Sequence, residues 1–72
     1  MNKLDLRGVA CPLNFVKAKL KLESLEEGAT LVLLLDDDEP HDHVCNSLDS
    51  EGSVILKQKQ LASGAWLVLV KK

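Results

Sequence analysis

The chain has 72 residues and a formal net charge of −2, and its residues are 46% hydrophobic, 28% charged and 3% aromatic. These values are typical of a small globular protein and argue against a disordered chain, a fibre or a membrane protein. The length predicts a single domain, residues 1–72, that depends on aliphatic packing. The lack of a basic surface or of several aromatic rings argues against direct nucleic-acid binding.

The sequence contains no apolar run near the ~18 residues of a membrane span, and its first residues do not resemble a secretory signal. We therefore expect a cytoplasmic protein with no membrane association. Cys11 and Cys45 are the two cysteines. In that setting they are expected to be free thiols rather than a disulfide framework.

The first predicted element is a short strand. Leu4 and Leu6 alternate with Asp5, with residues 1–3 before them, and this alternation is typical of a half-buried strand. Gly8 interrupts the pattern and begins a loop.

A helix is predicted next, over residues 12–25. Proline has no backbone N–H and a fixed φ, so Pro12 fits the first helical position and makes Cys11 the N-cap residue. Gly28 is expected just past the end of the helix, where glycine adopts a left-handed conformation at little cost. Apolar residues recur at helical spacing and predict the buried face, which consists of Phe15, Ala18, Leu22 and Leu25.

A second apolar stripe on this helix begins beside Cys11 and consists of Leu13, Val16 and Leu20. The stripe is either the edge of a wide buried face or an exposed docking surface next to the thiol. The sequence leaves both interpretations open.

The remaining elements are a strand, a helix and a hairpin. The apolar run Thr30–Leu35 predicts a central strand, and the acidic residues 36–39 before Pro40 predict a second, shorter helix closed by Gly52. Strands Val54–Gln60 and 65–70, joined through residues 62–64, complete the order βαβαββ. This order predicts an α+β fold, a two-layer α/β sandwich with two helices on one face of a mixed four-stranded sheet.

The predicted sheet has more apolar surface than two helices can cover. Side chains on the opposite faces of its central strands are all apolar, and those expected on the second face include Val32, Leu34, Leu67 and Leu69. This surplus is compatible with a monomer or a weak homodimer.

Cys11 is the candidate for chemistry. The partial positive charge of a helix N-terminus favours the thiolate, which is the nucleophilic form of cysteine. Arg7 either adds a fixed positive charge near the sulfur or pairs with a carboxylate, such as Asp5 or one of residues 36–39. Gly8 is expected to provide a backbone angle that other residues adopt at a cost.

Asp5, Arg7, Gly8, Cys11 and Pro12 form the pattern Asp-x-Arg-Gly-x-x-Cys-Pro. With the lysine-rich helix, apolar strand and Asp run that follow, the chain resembles the TusA/SirA-like sulfur-carrier family over essentially its whole length. The resemblance implies a two-layer α/β sandwich in which Cys11 accepts sulfane sulfur as a persulfide and passes it to another protein. Such a protein would act as a persulfide sulfurtransferase.

The resemblance also implies two kinds of protein partner: a sulfur donor such as a cysteine desulfurase, and a downstream sulfur acceptor. Relays of this family serve tRNA thiolation and other sulfur trafficking. No cofactor is implied.

The chain departs from the family at one motif position. The usual Cys-Pro-x-Pro is here Cys11-Pro12-Leu13-Asn14. Asn14 restores a backbone donor that a second proline would lack, and it adds a side-chain amide near the sulfur. The helix start is expected to persist, and the difference bears on which partner is recognised.

Two other functions remain open. One is a regulatory or protein-interaction module that keeps the fold and uses no sulfur chemistry. The other is a thiol redox protein using Cys11 and Cys45, which is disfavoured because these cysteines lie on different predicted helices. No metal site is predicted, because His41, His43 and Cys45 do not converge on one helix face.

Overall fold

The structure is a computed structural model that describes residues 2–72. Its elements follow the predicted order and are β1 (Asn2–Asp5), α1 (Leu13–Glu23), β2 (Thr30–Leu35), α2 (Glu39–Ser50), β3 (Val54–Gln60) and β4 (Trp66–Lys71). The predicted α+β fold, with two helices and a mixed four-stranded sheet, is confirmed. The expected contribution of Met1 to the first strand lies outside the described residues.

The strand order is β1-β2-β4-β3, with β1 parallel to β2 and β4 antiparallel to both of its neighbours. The carboxyl ends of β1 and β2 therefore lie at the same edge of the sheet. β4 begins at that edge, since Leu35 pairs with Trp66. The loop that carries Cys11, residues 36–38 and Trp66 are consequently brought to one end of the molecule.

The core lies between the sheet and the two helices. Leu31, Leu33 and Leu35 of β2 are fully buried, as are Val68 and Val70 of β4. They pack with buried residues of α1 and α2, which are Ala18, Leu22, Val44, Cys45 and Leu48. Burial of one such aliphatic side chain stabilises the fold by about 1.5–3 kcal/mol. The two central strands therefore contribute much of the stability of the core.

The first helix ends earlier than predicted. It stops at Glu23, with Ser24 at the C-cap, and the Ser24 hydroxyl donates to the Lys21 carbonyl at 2.6 Å. The prediction that Gly28 lies just past the helix was therefore wrong. Gly28 has a φ of 85° in the turn before β2, so its left-handed conformation serves the loop rather than the helix.

The second helix is not shorter than the first, as the sequence had suggested, because α2 has 12 residues and α1 has 11. Pro40 lies in its first turn as predicted. Val44, Cys45 and Leu48 supply its buried face, and this face anchors the helix to the sheet. Neither helix within residues 2–72 is long and apolar enough to cross a membrane.

The second face of the sheet is uncovered by helices. Val32, Leu34, Leu67 and Leu69 lie on this face and are partly exposed, whereas their neighbours along β2 and β4 point into the core. We call this surface the open face. The predicted surplus of apolar surface is therefore found on the sheet face that the two helices do not cover.

Candidate functional site

Cys11 lies in the loop between β1 and α1, and its free thiol is exposed. α1 begins two residues later, at Leu13, with Pro12 at the cap position after a cis peptide bond. The prediction that Cys11 is the N-cap residue was therefore wrong, because Pro12 occupies that position. No side chain caps the start of α1. The thiol stands beside the helix N-terminus without being engaged by its first backbone N–H groups.

Asn14 reaches the Cys11 sulfur from the first turn of α1. It is fully buried, and its side-chain Nδ2 lies 3.3 Å from Cys11 Sγ. Its Oδ1 accepts the N–H of Phe15 at 2.7 Å. Because a backbone N–H can only donate, the amide oxygen must face Phe15, and the NH2 group then faces the sulfur. A hydrogen bond of this kind strengthens when the acceptor carries a negative charge.

The segment that leads from β1 to Cys11 is hydrogen-bonded to the end of β2 and to the loop that follows it. The Gly8 N–H donates to Asp36 Oδ2 at 2.6 Å, and Leu6 N–H donates to the Leu34 carbonyl at 2.8 Å. Gly8 has a φ of 76°, in agreement with the predicted need for a special backbone angle. Asp36 thus fixes the start of the Cys11 loop, a role that sequence reasoning missed.

Arg7 pairs with Asp5, which is one of the two roles left open by the sequence. Its Nε and Nη2 atoms lie 3.1 and 2.8 Å from the two carboxylate oxygens, and its backbone N–H donates to the same group at 3.0 Å. These hydrogen bonds lower the pKa of Asp5 from 3.8 to about 2 and raise the pKa of Arg7. The guanidinium is therefore held at the end of β1, with its charge largely balanced by Asp5.

Trp66 and His41 hold the loop after β2 at Asp37, the residue that follows Asp36. The Trp66 Nε1–H donates to Asp37 Oδ1 at 2.8 Å, and this hydrogen bond lowers the pKa of Asp37. The His41 ring stacks on Trp66 with 4.3 Å between ring centroids, and its Nε2 contacts Gln58. These residues connect β4, β3 and α2 to the loop after β2, whose Asp36 accepts the Gly8 N–H. The sequence signal for them is indirect, because only the strand order places Trp66 beside residue 35.

The second stripe of α1 is exposed. Leu13, Val16 and Leu20 are 52%, 41% and 60% accessible to solvent. The sequence left two interpretations of this stripe open, and its exposure excludes the one in which it is the edge of a buried face. It forms an apolar surface that starts two residues after Cys11.

Cys45 differs from Cys11 in its surroundings. It is buried in the core, and burial raises the pKa of its thiol from 9.0 to about 11. A thiol in this state is a poor nucleophile at neutral pH. In the part of the chain that the structure describes, no three His, Cys, Asp or Glu side chains are grouped as metal ligands.

The fold and site define a two-layer α/β protein with one exposed cysteine between its first strand and first helix. Residues 2–72 match the family described as "Sulfurtransferase TusA", and the chain belongs to that family. The chain is 35% identical over 69 residues to the "Putative sulfur carrier protein" of Archaeoglobus fulgidus, an alignment that covers 96% of this chain and 78% of that protein.

The fold is also similar to that of a solved protein. The crystal structure of a SirA-like protein from Desulfitobacterium hafniense superposes with a TM-score of 0.83 at 24% identity, covering 99% of this chain and 96% of that one. Together, the family and the relative support a sulfur-carrier role. Such a role involves proteins that donate and accept sulfur.

Proposed function

We propose that the protein accepts sulfane sulfur as a persulfide on Cys11 and relays it to a partner protein, acting as a persulfide sulfurtransferase. The observation that carries the proposal is the exposed Cys11 thiol with the buried Asn14 amide donating to its sulfur. A carrier needs a sulfur that is accessible to two proteins in turn and stable as an anion. An exposed thiol at a helix start, held by an internal donor, meets both needs.

The transfer is balanced without an added oxidant. The Cys11 thiolate attacks the outer sulfur of a persulfide on the donor, the donor S–S bond breaks, and the donor cysteine leaves as a thiolate. Cys11 then carries the extra sulfur as an anionic persulfide. In the second step a nucleophile of the acceptor takes the outer sulfur, and the Cys11 thiolate is restored.

Asn14 supports the charged states of this cycle. Its Nδ2 donates to Cys11 Sγ, which carries the charge before loading and leaves again as a thiolate on unloading. The other motif residues position the loop: Gly8 bonds to Asp36, Arg7 is held by Asp5, and Pro12 precedes the helix. The catalytic residue is Cys11.

The stripe of Leu13, Val16 and Leu20 is proposed as the docking surface for the sulfur donor. It is exposed and apolar, and it begins beside the thiol. A donor such as a cysteine desulfurase, bound there through an apolar surface, would bring its persulfide to Cys11. The acceptor serves tRNA thiolation or another sulfur-trafficking route, and both thiols suit a reducing compartment such as the cytoplasm.

The test is to incubate the protein with a cysteine desulfurase and cysteine, and to record its intact mass. We expect a gain of one sulfur atom that is lost in Cys11→Ala and retained in Cys45→Ala, which is the matched control. Absence of any adduct would reject the proposal in favour of an interaction module. Loss of two hydrogens with a Cys11–Cys45 linkage would instead indicate a redox protein.

A further inference from the structure

The open face has an apolar centre with lysines on both sides. Two rows of side chains cross it from β1 through β2 and β4 to β3. The first row is Lys3, Val32, Leu69 and Lys57, and the second is Asp5, Leu34, Leu67 and Lys59. The apolar residues occupy the two central strands, and the charged residues occupy the two outer strands.

The charge of this face is positive. Asp5 is the acidic residue in the two rows, and both of its oxygens are already bound by Arg7. Lys3, Lys57 and Lys59 are exposed, and within residues 2–72 none of them forms an ion pair. Three free ammonium groups therefore surround an apolar strip, on a chain whose net charge is −2.

The dimensions of the strip suit one helix. Neighbouring strands lie about 4.8 Å apart, so the two central strands span about 10 Å, which matches the diameter of an α-helix with its side chains. Shallow grooves of about 450 and 210 Å³ lie over the strip, and Leu67 lines both. A helix along the strands would place its apolar stripe on β2 and β4 and its flanks above the lysines of β1 and β3.

We propose that the open face binds an amphipathic helix of a partner protein, whose apolar stripe is flanked by Asp and Glu. The apolar stripe would cover Val32, Leu34, Leu67 and Leu69. The acidic flanks would pair with Lys3 on one side and with Lys57 and Lys59 on the other. The proposal goes beyond sulfur transfer, because it requires nothing of Cys11.

Two other occupants fit the face less well. Two copies of the chain packed face to face about a two-fold axis would bring Lys57 of one copy against a lysine of the second copy, and like charges oppose association. A membrane surface is favoured by exposed aromatic side chains, but Phe15 and Trp66 pack against the core on the other side of the sheet.

The test uses the full chain labelled with ¹⁵N and a synthetic helical peptide of about 18 residues. The peptide carries Leu at positions i, i+3, i+4 and i+7 and Glu on both flanks, and a matched peptide has Lys in place of Glu. We expect the acidic peptide to shift the amide signals of Val32, Leu34, Leu67 and Leu69. The basic peptide is expected to shift none of them.

Charge reversal provides the second arm. The double variant Lys57→Glu with Lys59→Glu is expected to weaken binding of the acidic peptide about tenfold or more, because two attractive pairs become repulsive. Lys17→Glu with Lys21→Glu makes the same charge change on α1 and is expected to leave the affinity unchanged. Circular dichroism of both variants verifies that they are folded.

Four results would overturn the proposal. They are equal binding of the two peptides, equal weakening by the two double variants, shifts confined to residues outside the open face, and no binding at millimolar peptide. Concentration-dependent shifts of the open face without peptide would assign it to a second copy. Stronger binding to vesicles of phosphatidylcholine and phosphatidylglycerol than to the acidic peptide would assign it to a membrane.

Discussion

At the scale of single residues, the sulfur of Cys11 accepts a hydrogen bond from the side chain of Asn14. Asn14 lies three residues after Cys11 in the chain, and it is fully buried with its side-chain amide donating to the Cys11 sulfur. Burying an amide is unfavourable unless its hydrogen bonds are made, so its two contacts, to Cys11 and to Phe15, account for its place in the fold.

Replacement of Asn14 by Leu removes the donor at nearly constant volume. Because the hydrogen bond favours the sulfur anion, we expect the alkylation rate of Cys11 by iodoacetamide at neutral pH to fall about tenfold. The measurement is the alkylation rate at neutral pH in a Cys45→Ala background, and Asn14→Gln tests whether a longer amide restores the rate. An unchanged rate in a folded Asn14→Leu variant would contradict this role for Asn14.

The Asp5–Arg7 pair predicts a specific pH response. The pKa of Asp5 is lowered from 3.8 to about 2. The ionised carboxylate therefore stabilises the folded state at pH values above the pKa of the unfolded chain, and this stabilisation is lost as the pH falls through about 2. Replacing Arg7 by Gln is expected to return this pKa toward 3.8, as measured by ¹³C NMR of the Asp5 carboxyl. A value that stays near 2 in the variant would show that the Arg7 side chain is not the cause.

At the scale of elements, the site is assembled from two loops that follow parallel strands. The sequence predicted each loop separately, from Gly8 and from the acidic run before Pro40. Their contact depends on the order of strands in the sheet, which no local pattern encodes. This is why the sequence could single out Cys11 as the candidate for chemistry, whereas it could not predict that Asp36, Trp66 and His41 lie around the loops at this end of the sheet.

Asp36→Ala tests the contact between the loops. The variant removes the acceptor of the Gly8 N–H while leaving the core intact. A hydrogen bond to a charged group contributes about 1.5–3 kcal/mol, so exchange of the Gly8 amide with deuterium is expected to increase about tenfold or more. Asp36→Asn retains an acceptor oxygen and serves as the control. Equal exchange in the wild type and Asp36→Ala would exclude this contact as an anchor.

The ends of elements show how local signals compete. Gly28 is a strong helix-end signal, but the helix already ends at Glu23. There the hydroxyl of Ser24, four residues before Gly28, donates to the Lys21 carbonyl. Pro12 lies one position earlier relative to the helix than the sequence predicted. The periodicity of apolar residues in the first helix was the more reliable guide, since Ala18 and Leu22 are buried, and Phe15 and Leu25 are partly buried and pack against the core.

At the scale of the molecule, the fold divides its apolar residues between one core and two exposed surfaces. The alternation within β2 and β4 predicted the second sheet face, and the spacing within α1 predicted the stripe beside Cys11. Alternation does not reveal which face the helices cover. That choice is made by the packing of Val44 and Leu48 of α2, with Ala18 of α1, on one side of the sheet.

Leu33 and Leu20 provide a matched comparison of core and surface. Leu33 is fully buried and Leu20 is 60% exposed. Because Leu33→Ala leaves a cavity, it is expected to lower the free energy of unfolding by about 2–5 kcal/mol. Leu20→Ala is expected to change it by less than about 0.5 kcal/mol. Urea denaturation followed by Trp66 fluorescence measures both, and equal losses would contradict the assignment of the core.

The transfer of sulfur through Cys11 can be followed with an isotope label. The most direct measurement loads the protein with ³⁴S from labelled cysteine and a cysteine desulfurase, traps it with an alkylating agent, and locates the label by peptide mass spectrometry. We expect one labelled sulfur on Cys11 that disappears when an excess of an unlabelled acceptor thiol is added. Label on Cys45, or no label on either cysteine, would contradict this expectation.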